Sequence, residues 1–347
     1  MRSLFKTQRA RQQRGFSLLE IMVGVAIGLI GIVVIFQVLL VWEERRRTTS
    51  SGSDAQVAGT LAMFALERDL KQAGYGFGMS GDIGCTVMTN MAPRGVFTFP
   101  LVPVVITPGA IGAPDSLKVL YGSSNLFTAS QGYNVTTDTT KKGSSRGGFA
   151  INDQAVMAKD AAGNCAMVKV TGYPTPDDGA TLVHESVAAT GAGVLNGSGA
   201  MLNLGANPQR NAWSIQGGRV LARADDLRTP TTWAEVSEGI IDLRAQYGYD
   251  DDDNKQIECP NAAAKCEWVS APLAAPTPPI SWLKVRAIRV ALLARSQQYE
   301  KTEVTTALPT WSGGNFGAPT DPDWKHYRYR AYEQVIPLRN TIWGTAK

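Results

Sequence analysis

The chain has 347 residues, 44% of them hydrophobic and 18% charged, with a formal net charge of +4. Arg2, Lys6, Arg9, Arg11 and Arg14 stand in the first 14 residues with no acid among them. The rest is therefore close to neutral, and basicity is no argument for a nucleic-acid partner. Two histidines, His184 and His326, and four cysteines without a C-x-x-C spacing exclude the common zinc patterns.

The basic segment leads into Gly15-Phe16-Ser17-Leu18-Leu19-Glu20 and then an uncharged run from Ile21 to Trp42, whose polar member is Gln37. As a helix this run spans roughly 33 Å, against a bilayer core of about 30 Å. Its positive flank holds the N-terminus on the cytoplasmic side. Glu20 is the anomaly. A carboxylate at the edge of a membrane span is costly, so its presence is a functional hypothesis.

Gly15-Phe16-Ser17-Leu18-Leu19-Glu20 resembles the class III signal of type IV pilins and type II secretion pseudopilins. The resemblance implies that a prepilin peptidase cuts between Gly15 and Phe16. It further implies that Phe16 becomes the N-methylated terminus and that Glu20 is the retained assembly glutamate. An ordinary secretory signal is cut after its apolar region instead.

Beyond the span, Glu43 and Arg47 have the i,i+4 spacing of a helical pair. Thr48, Thr49 and Gly52 disfavour helix, and Ser53-x-x-Gln56 is a capping-box pattern. The expectation is a helix from about Ser17 to Ala73, kinked or frayed near 48–53. Its distal half is apolar on two sides. Val57, Leu61 and Phe64 share one face, and Met63, Leu66, Leu70 and Ala73 share nearly the opposite one. Such a helix needs cover on two sides. Its own sheet can supply one; neighbouring subunits or the rest of its own domain remain open for the other. Gly74 suits the C′ position.

Two catalytic patterns fail. Gly76-Phe77-Gly78-Met79-Ser80-Gly81 follows a helix, whereas a dinucleotide loop follows a strand. Gly143-Ser144-Ser145-Arg146-Gly147 lies in a polar loop without the strand-to-helix turn of a nucleophile elbow. Alternation predicts strands over 115–121, 167–170, 219–222 and 241–249. A further strand over 282–292 changes apolar parity between Ala287 and Ile288, which predicts a bulge there. A last strand falls near 327–338. Residues 186–210 read as a long loop with room for a short helix or strand, and Pro272, Pro276, Pro278 and Pro279 as a linker.

A domain delivered outside the cytoplasm keeps disulfides. Cys259 and Cys266 enclose a short loop that a disulfide would close, leaving Cys85 with Cys165, although four cysteines allow three connectivities. Asp250, Asp252 and Asn254 have the spacing that opens an EF-hand loop. Position six is Lys255 instead of Gly, and position twelve is Asn261 instead of Glu, so an EF-hand is not expected. The expectation is a solvated acidic turn and no cofactor, with calcium at these residues as the alternative.

The segment 66–75, Gly239-x-x-x-Leu-Arg-x-Gln-Tyr-Gly, the 282–296 strand and Pro337-Leu338-Arg339-Asn340 resemble PilW-type minor pilins. The resemblance implies an α+β, type IV pilin-like fold: a long N-terminal helix packed on an antiparallel sheet with large loops. The expected divisions are a leader over 1–15, a transmembrane assembly helix over 16–42, an amphipathic helix over 43–75 and a β-rich periplasmic or extracellular domain over 76–347. The implied role is non-enzymatic: initiation of pilus assembly at or near the tip, serving adhesion and twitching motility. The implied partners are the prepilin peptidase, other minor pilins, the major pilin and a tip adhesin. The implied place is the inner membrane of a Gram-negative bacterium and then the pilus. A J-type secretion pseudopilin is the near alternative. A membrane-tethered enzyme or binding module would need a cluster of titratable groups that the sequence does not offer.

Overall fold

The computed structural model of the chain describes residues 15–78, 80, 83–126, 130–135, 137–158, 164–192, 198–259, 266–270 and 282–342. The basic leader over 1–14, Gly81 of the glycine pattern and the Pro272–Pro279 linker lie outside these residues, as do the side chains of Glu43 and Arg47. The chain divides into two compact units, Met1–Ser51 and Gly52–Lys347.

One helix, α1, runs Leu18–Gln72 and contributes to both units. It is unbroken through 48–53, so neither the expected break nor a new N-terminus at Ser53 forms. Each poor helix former there costs about 1 kcal/mol or less, whereas ending and restarting a helix exposes four carbonyls and four N–H groups. Gly74 has φ +80°, as its C′ place predicts, and its N–H bonds the Leu120 carbonyl at 2.9 Å.

In the second unit the distal part of α1 packs on two antiparallel sheets. One orders Thr229–Glu238, Val220–Asp225, Gln209–Gln216, Ser116–Tyr121 and Val104–Thr107. The other orders Trp268–Val269, Ile240–Tyr249, Val285–Arg295 and Tyr329–Pro337. Ala62, Leu66 and Leu70 share one core with Ile106, Val119, Trp213, Leu243, Tyr247, Leu292 and Ile336. The phenol of Tyr247 joins the two sheets, accepting from the Ile106 N–H at 2.5 Å.

The bulge lies at Arg286, earlier than parity predicts. Gly248 faces Ala287 and Tyr249 faces Val285, so Arg286 is the extra residue. From Ala287 onward the strand pairs regularly with Tyr329–Pro337. The parity change has another cause: both faces are covered, by the α1 core on one side and by Phe316 with Trp311 on the other.

Segments 86–100 and 131–203 build a third sheet. Asn164–Gly172, Gln154–Ala158, Gly199–Asn203, Gln131–Val135, Thr140–Gly143 and Thr181–His184 pair in that order, and the last returns to the first. Six strands thus close on themselves around Phe149, Met157, Val170, Leu182 and Met201. The hairpin Thr86–Met91 and Gly95–Pro100 extends the sheet. Residues 186–210, read as loop, supply a 3-10 turn Ala188–Thr190 and the Gly199–Asn203 strand.

Candidate assembly interface

Gly15, Phe16 and Ser17 precede α1 and are exposed. Ser17 is the N-cap: its Oγ accepts the Leu19 N–H at 3.3 Å, and the Glu20 carboxylate accepts the Ser17 N–H at 3.1 Å. Ser17-x-x-Glu20 is therefore a capping box, which satisfies two of the donors a helix start leaves free. The pattern was in the sequence, hidden behind the membrane reading of Glu20. From Leu18 to Leu40 the helix is 23 residues long, and its side chains are exposed. That length and composition suffice to cross a membrane.

The distal part of α1 separates its two apolar faces. Leu66 and Leu70 are 0% exposed in the core, while Val57, Leu61 and Phe64 remain 64%, 50% and 63% exposed. At i, i+4 and i+7 these three form a stripe left uncovered by the described residues of the chain.

The rotation of α1 that leaves this stripe outward is fixed by polar contacts the sequence did not reveal. Asp69 is buried on α1 and accepts from Trp213 Nε1 at 2.8 Å, Asn211 Nδ2 at 2.8 Å and the Tyr121 hydroxyl at 3.1 Å. Burial, and then the negative charge of Asp69, push the Tyr121 phenol well above its ordinary range. Gly59 meets the Tyr332 ring so closely that a Cβ there would lie 2.0 Å from a ring carbon. At the helix end, Asn340 Nδ2 donates to the Gln72 and Ala73 carbonyls, each at 3.1 Å. That contact gives Pro337-Leu338-Arg339-Asn340 a physical reason: it caps α1.

Cys85 is bonded to Cys165, and Cys259 to Cys266. Of the weak calcium candidates, Asp250 and Asp252 come together with Glu267, which the sequence reading missed. Asn254 instead donates to Asp252 and Glu258, both at 3.0 Å.

Residues 216–340 match the family model described as Type IV Pilus-assembly protein W, and residues 10–36 match the prokaryotic N-terminal methylation motif. No curated protein matches the chain. Among solved structures the chain is similar to a type IV-like pilin from Thermus thermophilus, with 11% identity and a TM-score of 0.31, over 81% of this chain and 95% of that one.

Proposed function

We propose, from the premise that this chain is a type IV pilin-like minor pilin of the PilW family, that it enters the pilus through α1 and acts at the start of assembly, at or near the tip. The observation that carries the proposal is the exposed Val57–Leu61–Phe64 stripe, on the same helix as an apolar span. Apolar surface left open in one subunit is what neighbouring helices cover in a filament. The role is structural. The family is pilin-like, and the distal contacts of α1 are packing contacts.

On this reading the peptidase cuts between Gly15 and Phe16, and Phe16 is methylated. The domain beyond the span faces the periplasm of a Gram-negative cell before assembly. Glu20 exchanges its bond to the Ser17 N–H for a terminal amine of the bundle, a pairing that offsets the desolvation of both charges. Other minor pilins, the major pilin and a tip adhesin are the expected neighbours. A tip place suits the segment 131–203, whose closed sheet is not part of the α1 core.

The test is a deletion strain complemented with the wild type or with Leu61→Ser/Phe64→Ser. Both substitutions lie at exposed positions, so each changes stability by about 0.5 kcal/mol at most and the variant stays folded. Surface pili and twitching return with the wild type and not with the variant. Full piliation by the variant would sink the interface. A strain that loses protein secretion but keeps its pili would instead make the chain a J-type pseudopilin.

A further inference from the structure

The acidic loop that leaves the Ile240–Tyr249 strand departs from the solvated turn its sequence suggests. Asp250 is fully buried. Its Oδ2 accepts from the Lys255 N–H at 3.1 Å and from Arg286 Nε at 3.0 Å, where the bulge places that arginine. Its Oδ1 is buried and has no hydrogen-bond partner among the described residues. A buried anionic oxygen left unpaired is expensive, and native structures rarely leave one so.

Carboxylate oxygens of Asp250, Asp252 and Glu267 lie within 4.8 Å of one another. Calcium holds oxygens at about 2.3–2.6 Å, so two of its ligands stand at most about 5 Å apart. The trio fits inside one coordination sphere. Among the described residues, Asp252 and Glu267 receive N–H donors of the loop and of Asn254, not lysine or arginine. Arg286 is turned to Asp250 Oδ2 and Asp253, and Lys284 to the Asp251 carbonyl.

Two failings of the EF-hand pattern are repaired in three dimensions. Lys255, at the position where glycine is usual, has φ +68°, and its N–H reaches back to Asp250, the first residue of the pattern. The missing twelfth ligand is replaced from outside the loop. The Cys259–Cys266 bond sets Glu258 beside Glu267, whose N–H donates to the Glu258 carbonyl at 3.0 Å. The Tyr249 N–H in turn bonds the Glu267 carbonyl at 2.9 Å, which holds Glu267 against the start of the loop.

We propose that Asp250, Asp252 and Glu267 form a calcium site, with Asp250 Oδ1 as its buried ligand. Hard oxygen ligands without imidazole or thiolate suit calcium over transition metals, and magnesium keeps most of its waters in such open sites.

The full-length chain in detergent, disulfides intact, is melted in chelator and in millimolar calcium and titrated by calorimetry. The expected result is one calcium per chain, with a dissociation constant of about 10⁻⁴–10⁻³ M or tighter. The melting temperature rises with calcium because the ion binds the folded state. Asp252→Asn changes an exposed carboxylate, so it melts like the wild type in chelator but binds at least about tenfold more weakly. Glu267→Gln weakens binding likewise. Lys255→Gly keeps or tightens it, because glycine adopts a positive φ without strain. No heat and no calcium-dependent shift would overturn the site. So would a shift that persists in both Asp252→Asn and Glu267→Gln. An equal response to magnesium would overturn the assignment to calcium.

Discussion

Segment 131–203 closes six strands of four to nine residues around its own core, whereas segments 104–121 and 209–337 lay strands of up to 11 residues against α1. The first is stapled covalently, through Cys85–Cys165 at its edge. The second is latched by hydrogen bonds from α1 to side chains far along the chain. The family model's match begins at 216 and so falls on the second. A helix whose outward stripe must keep one rotation has to be held by direction as well as by area. Apolar burial has no direction; the three bonds to Asp69 have.

The largest expected effect falls on that latch. Asp69→Ala takes the acceptor from the Trp213 indole N–H and the Tyr121 hydroxyl and leaves Asn211 Nδ2 with its bond to the Tyr121 oxygen, at a cost of about 3–5 kcal/mol. Denaturant titration followed by tryptophan fluorescence reads the loss. If segment 131–203 unfolds in a separate, unshifted transition, the two regions are independent; if it melts with the rest, the contrast is one of construction alone.

Next is the staple. Cys85→Ser/Cys165→Ser opens an 80-residue crosslink and costs about 2–4 kcal/mol. Hydrogen exchange should quicken over 131–204 and stay unchanged over 55–72. Equal loosening of α1 would show that the staple serves both cores.

Asn340→Ala removes the cap of α1 and costs about 1 kcal/mol, with faster exchange confined to the last turn of the helix. The smallest effect belongs to the seam between the regions. There Lys118 and Arg210 pair with the Asp226 carboxylate, and Arg94, from the 86–100 hairpin, donates to its carbonyl. Burial, then Arg210 and Arg94, push the Lys118 ammonium down to about 8. Its ordinary value is 10.5, so between these pH values the unfolded chain binds more protons. This group's penalty is full below pH 8 and is relieved as pH rises toward 10.5. Lys118→Met should flatten that slope in the melting temperature. Because the side chain is more than one-third exposed, the change is slight. A slope unchanged in the variant would place its origin elsewhere.

The long elements were legible. The two faces of α1, the Gly74 stop and the 241–249 strand each repeat a signal over several turns or pairs, and each is found where the pattern put it. Of the closed sheet only 167–170, inside Asn164–Gly172, was marked. Its other strands have four or five residues, too few for an alternation to stand out. The Asp69 latch was beyond reach for another reason. Its partners lie 52, 142 and 144 residues away, and a lone Asp on a helix reads as a solvated charge. At the acidic loop the sequence showed the first two carboxylates and missed Glu267, which is brought there by strand pairing and a disulfide.

The cap on α1 also sets an order in time. The carbonyls of Gln72 and Ala73 wait for a side chain made 268 and 267 residues later. At about 5–20 residues per second, the helix leaves the ribosome roughly 10–50 s before its cap exists. Early in that interval Leu66 and Leu70 lack the strands that will cover them, and Asp69 lacks Trp213, which is made 144 residues after it. A chain cut short before Asn340 therefore has every strand that covers Leu66 and Leu70 yet leaves the Gln72 and Ala73 carbonyls without their donor, so the last helix to be made completes the first.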